Sequence, residues 1–249
     1  MIPLVPLSQG VHTVLALPGL DGSRALVDQL IPHLDGDVTL LWADYNRARG
    51  LTYSRAVATL ERAVELHRPS GILAESFGST VAMRWALEHP ERAIPLILSG
   101  PLSHVRRRWC TGWGRAAAWV TPDAIRPAVV WIGSQFVIAR RARPIRPALI
   151  RDFCRIPRRA WLDRLAMLLE VDLRDRLPEL RAPVTLLWGE RDRVVYGDRE
   201  AEIFRAAGHG DAIRILPGIG HSVWAEHPEA VAAELRRHLN GNGHTGRGH

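Results

Sequence analysis

The sequence predicts an α/β protein, in which helices flank a mostly parallel central sheet and a helical segment is inserted into this core. Short apolar runs alternate with segments of helical periodicity over residues 1–100, and the alternation returns over residues 181–239. Such alternation is typical of parallel sheets, because each helix carries the chain back to the side where the next strand begins. Residues 101–180 follow helical patterns throughout, which predicts a helical cap between the two parts of the core.

The strands are predicted from apolar runs and the helices from the spacing of apolar residues. Residues 12–17 are a β-branched and apolar run that ends at a Pro-Gly pair, as a buried strand does. In the helix predicted over residues 53–67, Ala56, Leu60 and Val64 recur every four residues and form one apolar stripe. By the same criteria the other strands are residues 38–43, 71–75, 93–98, 184–188 and 212–216, and the other core helices are 23–34, 77–89 and 228–239. Residues 240–249 are rich in Gly, Asn and His without an apolar anchor, which predicts a disordered tail.

Composition sets the broad class of the protein. The chain has 249 residues, of which 47% are hydrophobic and 24% charged, and these fractions exclude a fibrous or largely disordered protein. The apolar run over residues 127–139 is too short to span a bilayer. Two cysteines, Cys110 and Cys154, are too few for a disulfide framework, which favours a reducing compartment. We therefore expect a cytoplasmic protein.

Positive charge is concentrated in one segment of the chain. The formal net charge is +7, and all 33 basic residues are arginine, which indicates a bias of the genome towards arginine codons. Residues 101–160 contain 13 arginines and two aspartates, so this segment carries +11 and the rest of the chain −4. The basic character therefore belongs to the predicted cap.

Ser76 is the first candidate for a chemical role. It lies between a predicted strand and a predicted helix in the sequence Ala74-Glu75-Ser76-Phe77-Gly78, with small residues two places before and after it. This pattern resembles the nucleophile elbow G-x-S-x-G, in which a tight turn tolerates only small neighbours and exposes the serine hydroxyl. The alternative is that Ser76 merely caps the following helix, as serine often does.

An acid and a histidine follow two later strands. Asp192 lies in the loop after the strand predicted at residues 184–188, and His221 follows Gly220 after the strand at 212–216. Loops at the carboxyl ends of parallel strands are where open α/β sheets place functional groups. The alternatives are a solvated turn aspartate and a surface histidine. Glu190, Asp198 and His227 are rival candidates for these roles.

The order Ser76, Asp192, His221 is the Ser–acid–His order of the α/β hydrolases. On these residues the sequence resembles the α/β-hydrolase superfamily over residues 10–239, in particular its serine esterase, lipase and acyltransferase-like members with a helical cap. The resemblance implies the α/β-hydrolase fold with Asp192 as the acid. Members of the family start with a longer strand hairpin, so we expect a sheet trimmed at that edge.

The resemblance also implies a mechanism without a cofactor or metal. Ser76 attacks an acyl carbonyl, His221 transfers the proton and Asp192 orients His221, so that an acyl-enzyme forms and water hydrolyses it. The expected oxyanion donors are the backbone N–H groups of Leu20, which follows Pro18-Gly19, and of Phe77.

The predicted cap leaves several interpretations open. Its large apolar residues either pack in the core or line an acyl pocket: Trp109, Trp113, Trp119, Trp131, Phe136, Phe153, Trp161, Leu165 and Met167. Its arginine clusters are either a solvated face, a docking site for an acidic acyl carrier or a phosphate-bearing thioester, or a contact with an anionic membrane surface: Arg106–Arg108, Arg140–Arg143 and Arg158–Arg159. No recognition motif for nucleic acid is present in the sequence.

The leading functional hypothesis is a serine hydrolase that cleaves a carboxylic ester of a small or medium, largely apolar acyl group. An acyl thioesterase or acyltransferase is the alternative among enzymes. A non-catalytic binding protein of the same fold is the alternative outside enzymes, and such proteins usually lack a triad residue.

Overall fold

A seven-stranded sheet organises the part of the chain that the structure describes. The structure is a computed structural model that describes residues 2–34, 36–48, 50–138 and 141–242, without the side chains of residues 109, 110, 241 and 242. The strand order is β1-β3-β2-β4-β5-β6-β7, and all neighbours are parallel except β1 and β3. The strands are β1 (Leu4–Pro6), β2 (His12–Leu17), β3 (Val38–Ala43), β4 (Gly71–Glu75), β5 (Leu96–Ser99), β6 (Val184–Gly189) and β7 (Ile213–Leu216). The mostly parallel sheet confirms the predicted fold class.

Two differences at the strands have simple causes. The sequence analysis missed β1, whose three residues are too few to show a periodic pattern. β5 begins at Leu96 instead of residue 93, directly after Pro95, whose nitrogen cannot donate a hydrogen bond to a neighbouring strand. The edge of the sheet thus keeps one short antiparallel strand.

Helices cover both faces of the sheet and fill the segment between β5 and β6. They are α1 (Arg24–Leu30), α2 (Tyr53–His67), α3 (Phe77–Glu88), α4 (Arg108–Val120), α5 (Arg126–Val137), α6 (Arg146–Arg155), α7 (Arg158–Leu169), α8 (Gly197–Ala206), α9 (Val223–Glu226) and α10 (Pro228–Asn242). Helix α10 extends to Asn242, so the prediction of a disordered tail was wrong for residues 240–242, and residues 243–249 lie outside the described part. None of the described helices has the length and apolar character that crossing a membrane requires.

The core consists of two apolar layers, one on each face of the sheet. Successive residues of β2 alternate between them, because side chains of a strand point to opposite faces: Leu15 packs with residues of α2, α3 and α8, whereas Val14 packs with residues of α1, α9 and α10. The apolar residues that form each layer are almost completely buried. This packing holds the carboxyl ends of the strands in fixed positions at one edge of the sheet.

Polar contacts attach the helical segment, residues 101–180, to the core. The Asp152 carboxylate on α6 accepts hydrogen bonds from the Ser23 hydroxyl (3.2 Å) and the Ala25 N–H (3.1 Å) at the start of α1. A small apolar cluster formed by Leu26, Ile138, Ala142 and Leu149 lies nearby. Within the segment, α4 packs on α7 and α5 packs on α6.

Candidate active site

Three of the predicted side chains meet at the carboxyl edge of the sheet. Ser76 follows β4 directly, Asp192 lies three residues after β6, and His221 lies in the loop after β7. The Ser76 Oγ is 2.8 Å from Nε2 of His221, and Nδ1 of the same ring is 2.7 Å from Oδ2 of Asp192. The parallel sheet thus joins residues far apart in sequence into one hydrogen-bonded chain.

The backbone of Ser76 has the strained geometry of a tight strand-to-helix turn. Its φ is +50°, in the left-handed region that residues with a Cβ rarely adopt, and its N–H donates to the Ser99 carbonyl over 2.8 Å. A side chain at Gly78 would collide with the carbonyl oxygens of Leu17 and Pro18, so only glycine fits. Ser76 stands before α3 but makes no capping hydrogen bond, and its hydroxyl contacts His221 instead. The capping interpretation is therefore wrong.

Asp192 is held as a charged acceptor beside the histidine. Its Oδ1 accepts hydrogen bonds from the N–H groups of Val194 (2.8 Å) and Val195 (3.1 Å), and its Oδ2 faces His221. Burial would raise the pKa of Asp192, but the charge and hydrogen bond of His221 and these N–H groups lower it below its ordinary value. The carboxylate therefore stays ionised and fixes Nδ1 of His221 as the hydrogen-bond donor.

The His221 ring is buried against glycines and between negative groups. A Cβ on Gly100, whose φ is +56°, would lie 2.9 Å from Cε1 of the ring, so glycine lets the backbone approach it. Burial would lower the pKa of His221, but the charge and hydrogen bond of Asp192, together with Glu75 and Asp21, raise it above its ordinary value. The surroundings thus favour the imidazolium that forms when the ring accepts a proton.

Glu75 joins the Ser76 turn to the His221 loop, a role that the sequence analysis did not assign. Its Oε1 accepts hydrogen bonds from the Ser222 hydroxyl (2.9 Å) and from the Trp224 N–H (3.3 Å). Burial and the neighbouring Asp21 raise the pKa of Glu75 to about 7, although His221 and the two hydrogen bonds act to lower it. No motif marks this role, since it depends on which loop crosses the end of β4.

The loop after β2 lies beside Ser76, as predicted for the oxyanion donors. A Cβ on Gly19 would be 3.7 Å from the Cβ of Ser76, and Leu20 faces the same cavity. Phe77 is fully buried as the first residue of α3. The assignment of the Leu20 and Phe77 N–H groups as oxyanion donors stays a prediction that this placement allows.

A buried arginine of the helical segment supports this loop. On α7, Nη2 of Arg164 donates to Oδ1 of Asn46 over 3.0 Å, and Nδ2 of Asn46 donates to the Gly22 carbonyl over 3.0 Å. Burial raises the pKa of the nearby Asp21 to about 6 against the opposing effect of Arg164, and burial lowers the pKa of Arg164 to about 10. Sequence reasoning could not distinguish Arg164 within an arginine-rich segment, because its burial is a tertiary property.

The rival candidates make other contacts. Glu190 accepts a hydrogen bond from the Gly218 N–H over 2.9 Å, and Asp198 is exposed in the first turn of α8. Nδ1 of His227 lies 3.1 Å from Oε1 of Glu229. The described residues contain no group of three or more His, Cys, Asp or Glu side chains placed to hold a metal ion.

A cavity of about 690 Å³ opens above Ser76 and His221. This volume lies within the usual range for small-molecule sites, roughly 300–1,000 Å³. Its walls are mainly apolar and come from the core loops and from the helical segment, with Val130, Phe153 and Trp161 among the latter. Ser76 and His221 therefore lie at the floor of a cavity whose walls are mainly apolar, with Asp192 hydrogen-bonded behind His221.

The large apolar residues of the helical segment divide into three groups. Phe153 and Trp161 line the cavity, and Leu165 and Met167 are buried. Four side chains fit neither interpretation and are exposed: Trp113, Trp119, Trp131 and Phe136. The side chain of Trp109 lies outside the described part.

A family model matches most of the chain. The chain matches the family model described as "Serine aminopeptidase, S33" over residues 53–228. A search of curated proteins finds no match.

Solved structures show the same fold at low identity. A hydrolase from Pseudomonas aeruginosa PA01 is 18% identical with a TM-score of 0.79, over 95% of this chain and 98% of that one. An esterase from Exiguobacterium antarcticum is 16% identical with a TM-score of 0.80, over 96% and 95% of the two chains. An enol-lactonase from Burkholderia xenovorans LB400 is 12% identical with a TM-score of 0.79, over 96% of each chain. With the family match covering most of its length, this chain belongs to the S33 serine aminopeptidase family of α/β hydrolases.

Proposed function

We propose that this protein is a serine hydrolase that cleaves carboxylic esters of small or medium, largely apolar acyl groups. One observation carries the proposal: Ser76, His221 and Asp192 form a hydrogen-bonded chain at the floor of an apolar cavity. Nucleophile, base and orienting acid at these distances are the arrangement that activates a serine hydroxyl. The solved structures include esterases from two organisms, although their low identity supports the fold alone.

The proposed mechanism follows from the hydrogen bonds. Nδ1–H of His221 donates to Asp192, which leaves Nε2 free to accept the proton of Ser76 as Oγ attacks the acyl carbonyl. The resulting imidazolium transfers this proton to the departing alkoxide oxygen. The acyl group then remains bound to Oγ of Ser76 as the acyl-enzyme. Water, deprotonated by the same ring, then releases the acid and restores Ser76.

The developing oxyanion needs donors near Ser76. We assign this role to the N–H groups of Leu20 and Phe77, because the loop carrying Leu20 lies against the serine and Phe77 follows it. In this proposal the segment 101–180 is a cap, since it supplies the upper walls of the cavity. The apolar walls accommodate the acyl chain and keep bulk water from the reacting atoms.

Labelling with a fluorophosphonate probe tests the nucleophile. Wild type and the exposed control Ser54→Ala on α2 are expected to react, and Ser76→Ala to lose all labelling. A series of p-nitrophenyl esters then measures the acyl length that the cavity accepts, with an aminoacyl anilide as the comparison because of the matched family. Folded wild type that neither labels nor hydrolyses any ester would contradict the proposal and favour the non-catalytic interpretation.

A second candidate is an acyl thioesterase or acyltransferase that takes its acyl group from an anionic carrier. The cavity walls include Arg106, Arg107 and Arg193, whose guanidinium groups suit a phosphate-bearing thioester. Rates measured with an acyl phosphopantetheine thioester and the matching simple ester separate the two candidates. Product analysis with water, alcohol or thiol as acceptor separates hydrolysis from transfer.

A further inference from the structure

Helices α4 and α5 expose an unusual number of large apolar side chains. We define the α4–α5 surface as eight residues, each between 51% and 71% exposed: Trp113, Trp119, Val120, Ile125, Val129, Trp131, Ile132 and Phe136. In the rest of the described chain, exposed large apolar residues are scattered, as is normal for a protein surface: Val11, Leu66, Val194 and Ile215. All eight residues lie within residues 113–136, on α4, on α5 or in the connection between them, and such clustering of exposed apolar side chains marks an interaction surface.

Each of the two helices lines the cavity with one face and exposes apolar side chains on another. On α5, residues 126, 129, 130, 133, 134 and 137 line the cavity, so the exposed Val129 also borders it, whereas Ala128, Trp131 and Ile132 lie on the other side at helical spacing. On α4, residues 111, 114, 117 and 118 line the cavity, and Trp113 and Val120 lie on another face. Among residues 126–137 of α5, only Ser134, on the side that lines the cavity, is buried. The outer faces therefore have no covering within the described chain.

The charge around this surface is almost entirely positive. Arg106, Arg107, Arg108 and Arg115 are exposed on or beside α4, and neither α4 nor α5 contains an acidic residue. Both aspartates of residues 101–160 have partners: Asp123, in the connection between α4 and α5, contacts Arg158 over 2.8 Å, and Asp152 binds the start of α1. An occupant of this surface must therefore offer both apolar volume and negative charge.

We propose that the α4–α5 surface docks on an anionic lipid bilayer. Tryptophan side chains prefer the interface between headgroups and acyl chains, and arginines bind lipid phosphates while their apolar stems remain in the interface. A helical pair with apolar outer faces can lie in this interface without spanning the membrane. The proposal goes beyond the proposed reaction, since docking does not require hydrolysis.

A second copy of the chain fits the surface less well. A two-fold interface would place the same patch on both partners, and so would bring two segments of +11 against each other. Such like-charge contacts oppose association, whereas an anionic bilayer neutralises them. Charge complementarity therefore selects the lipid surface.

Vesicle flotation tests the proposal. The test variant combines Trp113→Ser, Trp131→Ser and Ile132→Ser, because these residues are exposed and lie outside the cavity lining. The matched control is Leu66→Ser, an exposed apolar residue on α2. Wild type and control are expected to float with phosphatidylcholine vesicles that contain phosphatidylglycerol and not with pure phosphatidylcholine. The triple variant is expected to bind at least about tenfold more weakly, and raising salt from about 0.05 M to about 0.5 M to weaken wild-type binding.

Three results would overturn the proposal. They are the absence of wild-type binding to anionic vesicles, equal binding to neutral vesicles, and unchanged binding of the triple variant. A concentration-dependent dimer in size-exclusion chromatography that the triple substitution abolishes would assign the surface to a second copy instead. Far-UV circular dichroism checks that the variant is folded, and hydrolysis of a water-soluble ester reports separately on the proposed function.

Discussion

The α/β core and the helical segment differ in how far their tryptophan side chains are buried. In the core, Trp85, Trp188 and Trp224 are fully buried, whereas Trp113, Trp119 and Trp131 of the helical segment are more than half exposed. The core uses its large side chains to hold the strand ends in place, and with them the loops that carry Ser76, Asp192 and His221. The segment uses them to form one wall of a cavity and an outer surface. The core therefore buries its largest side chains, whereas the helical segment leaves several of them facing solvent.

The largest expected effect concerns the core. Asp192→Asn should reduce kcat for a soluble ester about 10⁴-fold, because asparagine neither fixes the correct tautomer nor stabilises the imidazolium. Since Asp192 raises the pKa of His221, its removal should also shift the rise of activity with pH to lower pH. The pH–rate profile measures both effects. Asp198→Asn, at an exposed acid on α8, is the control, and an equal loss there would contradict the assignment of Asp192.

A pair of tryptophan substitutions tests the comparison of the two regions directly. Both residues lie in helices, and Trp85 also donates from Nε1 to Glu61 over 2.7 Å. Trp85→Ala should lower the free energy of unfolding by about 3–5 kcal/mol, because it leaves a cavity and removes a hydrogen bond to Glu61. Trp131→Ala should change it by less than about 0.5 kcal/mol, because the side chain is exposed. Urea denaturation measures both, and a large loss for Trp131→Ala would show that the outer face contributes to the core.

The smallest expected effect concerns Glu75. Glu75→Gln keeps an acceptor for Ser222 and Trp224 but removes a negative charge that raises the pKa of His221. The pKa of His221 should fall, so the base form persists to lower pH. The ascending limb of kcat/KM should move to lower pH by less than about one unit. Glu75→Ala, which also removes the acceptor, should lower kcat at every pH; a Glu75→Gln profile identical to that of wild type would instead assign Glu75 a purely structural role.

Much of the core was predictable because its signals are local. The apolar runs of β2, β3 and β4 and the stripe of α2 were predicted with the bounds that the structure shows. Ser76, Asp192 and His221 could be predicted as candidates because each lies shortly after a strand and their order along the chain is characteristic. The limits of β5 and α10 were less accurate, and Pro95 accounts for the later start of β5.

The sequence by itself determined the alternation of strands and helices, the turn at Ser76 and the excess of arginine over residues 101–160. Only the tertiary structure decided that Glu75 binds the His221 loop, that Arg164 is buried beneath the loop after β2, and that four aromatic side chains of the helical segment face solvent. The physical reason is the distance along the chain over which each interaction acts. Periodicity and turn chemistry act over a few residues, whereas burial and long-range hydrogen bonds depend on which distant segments the fold brings together.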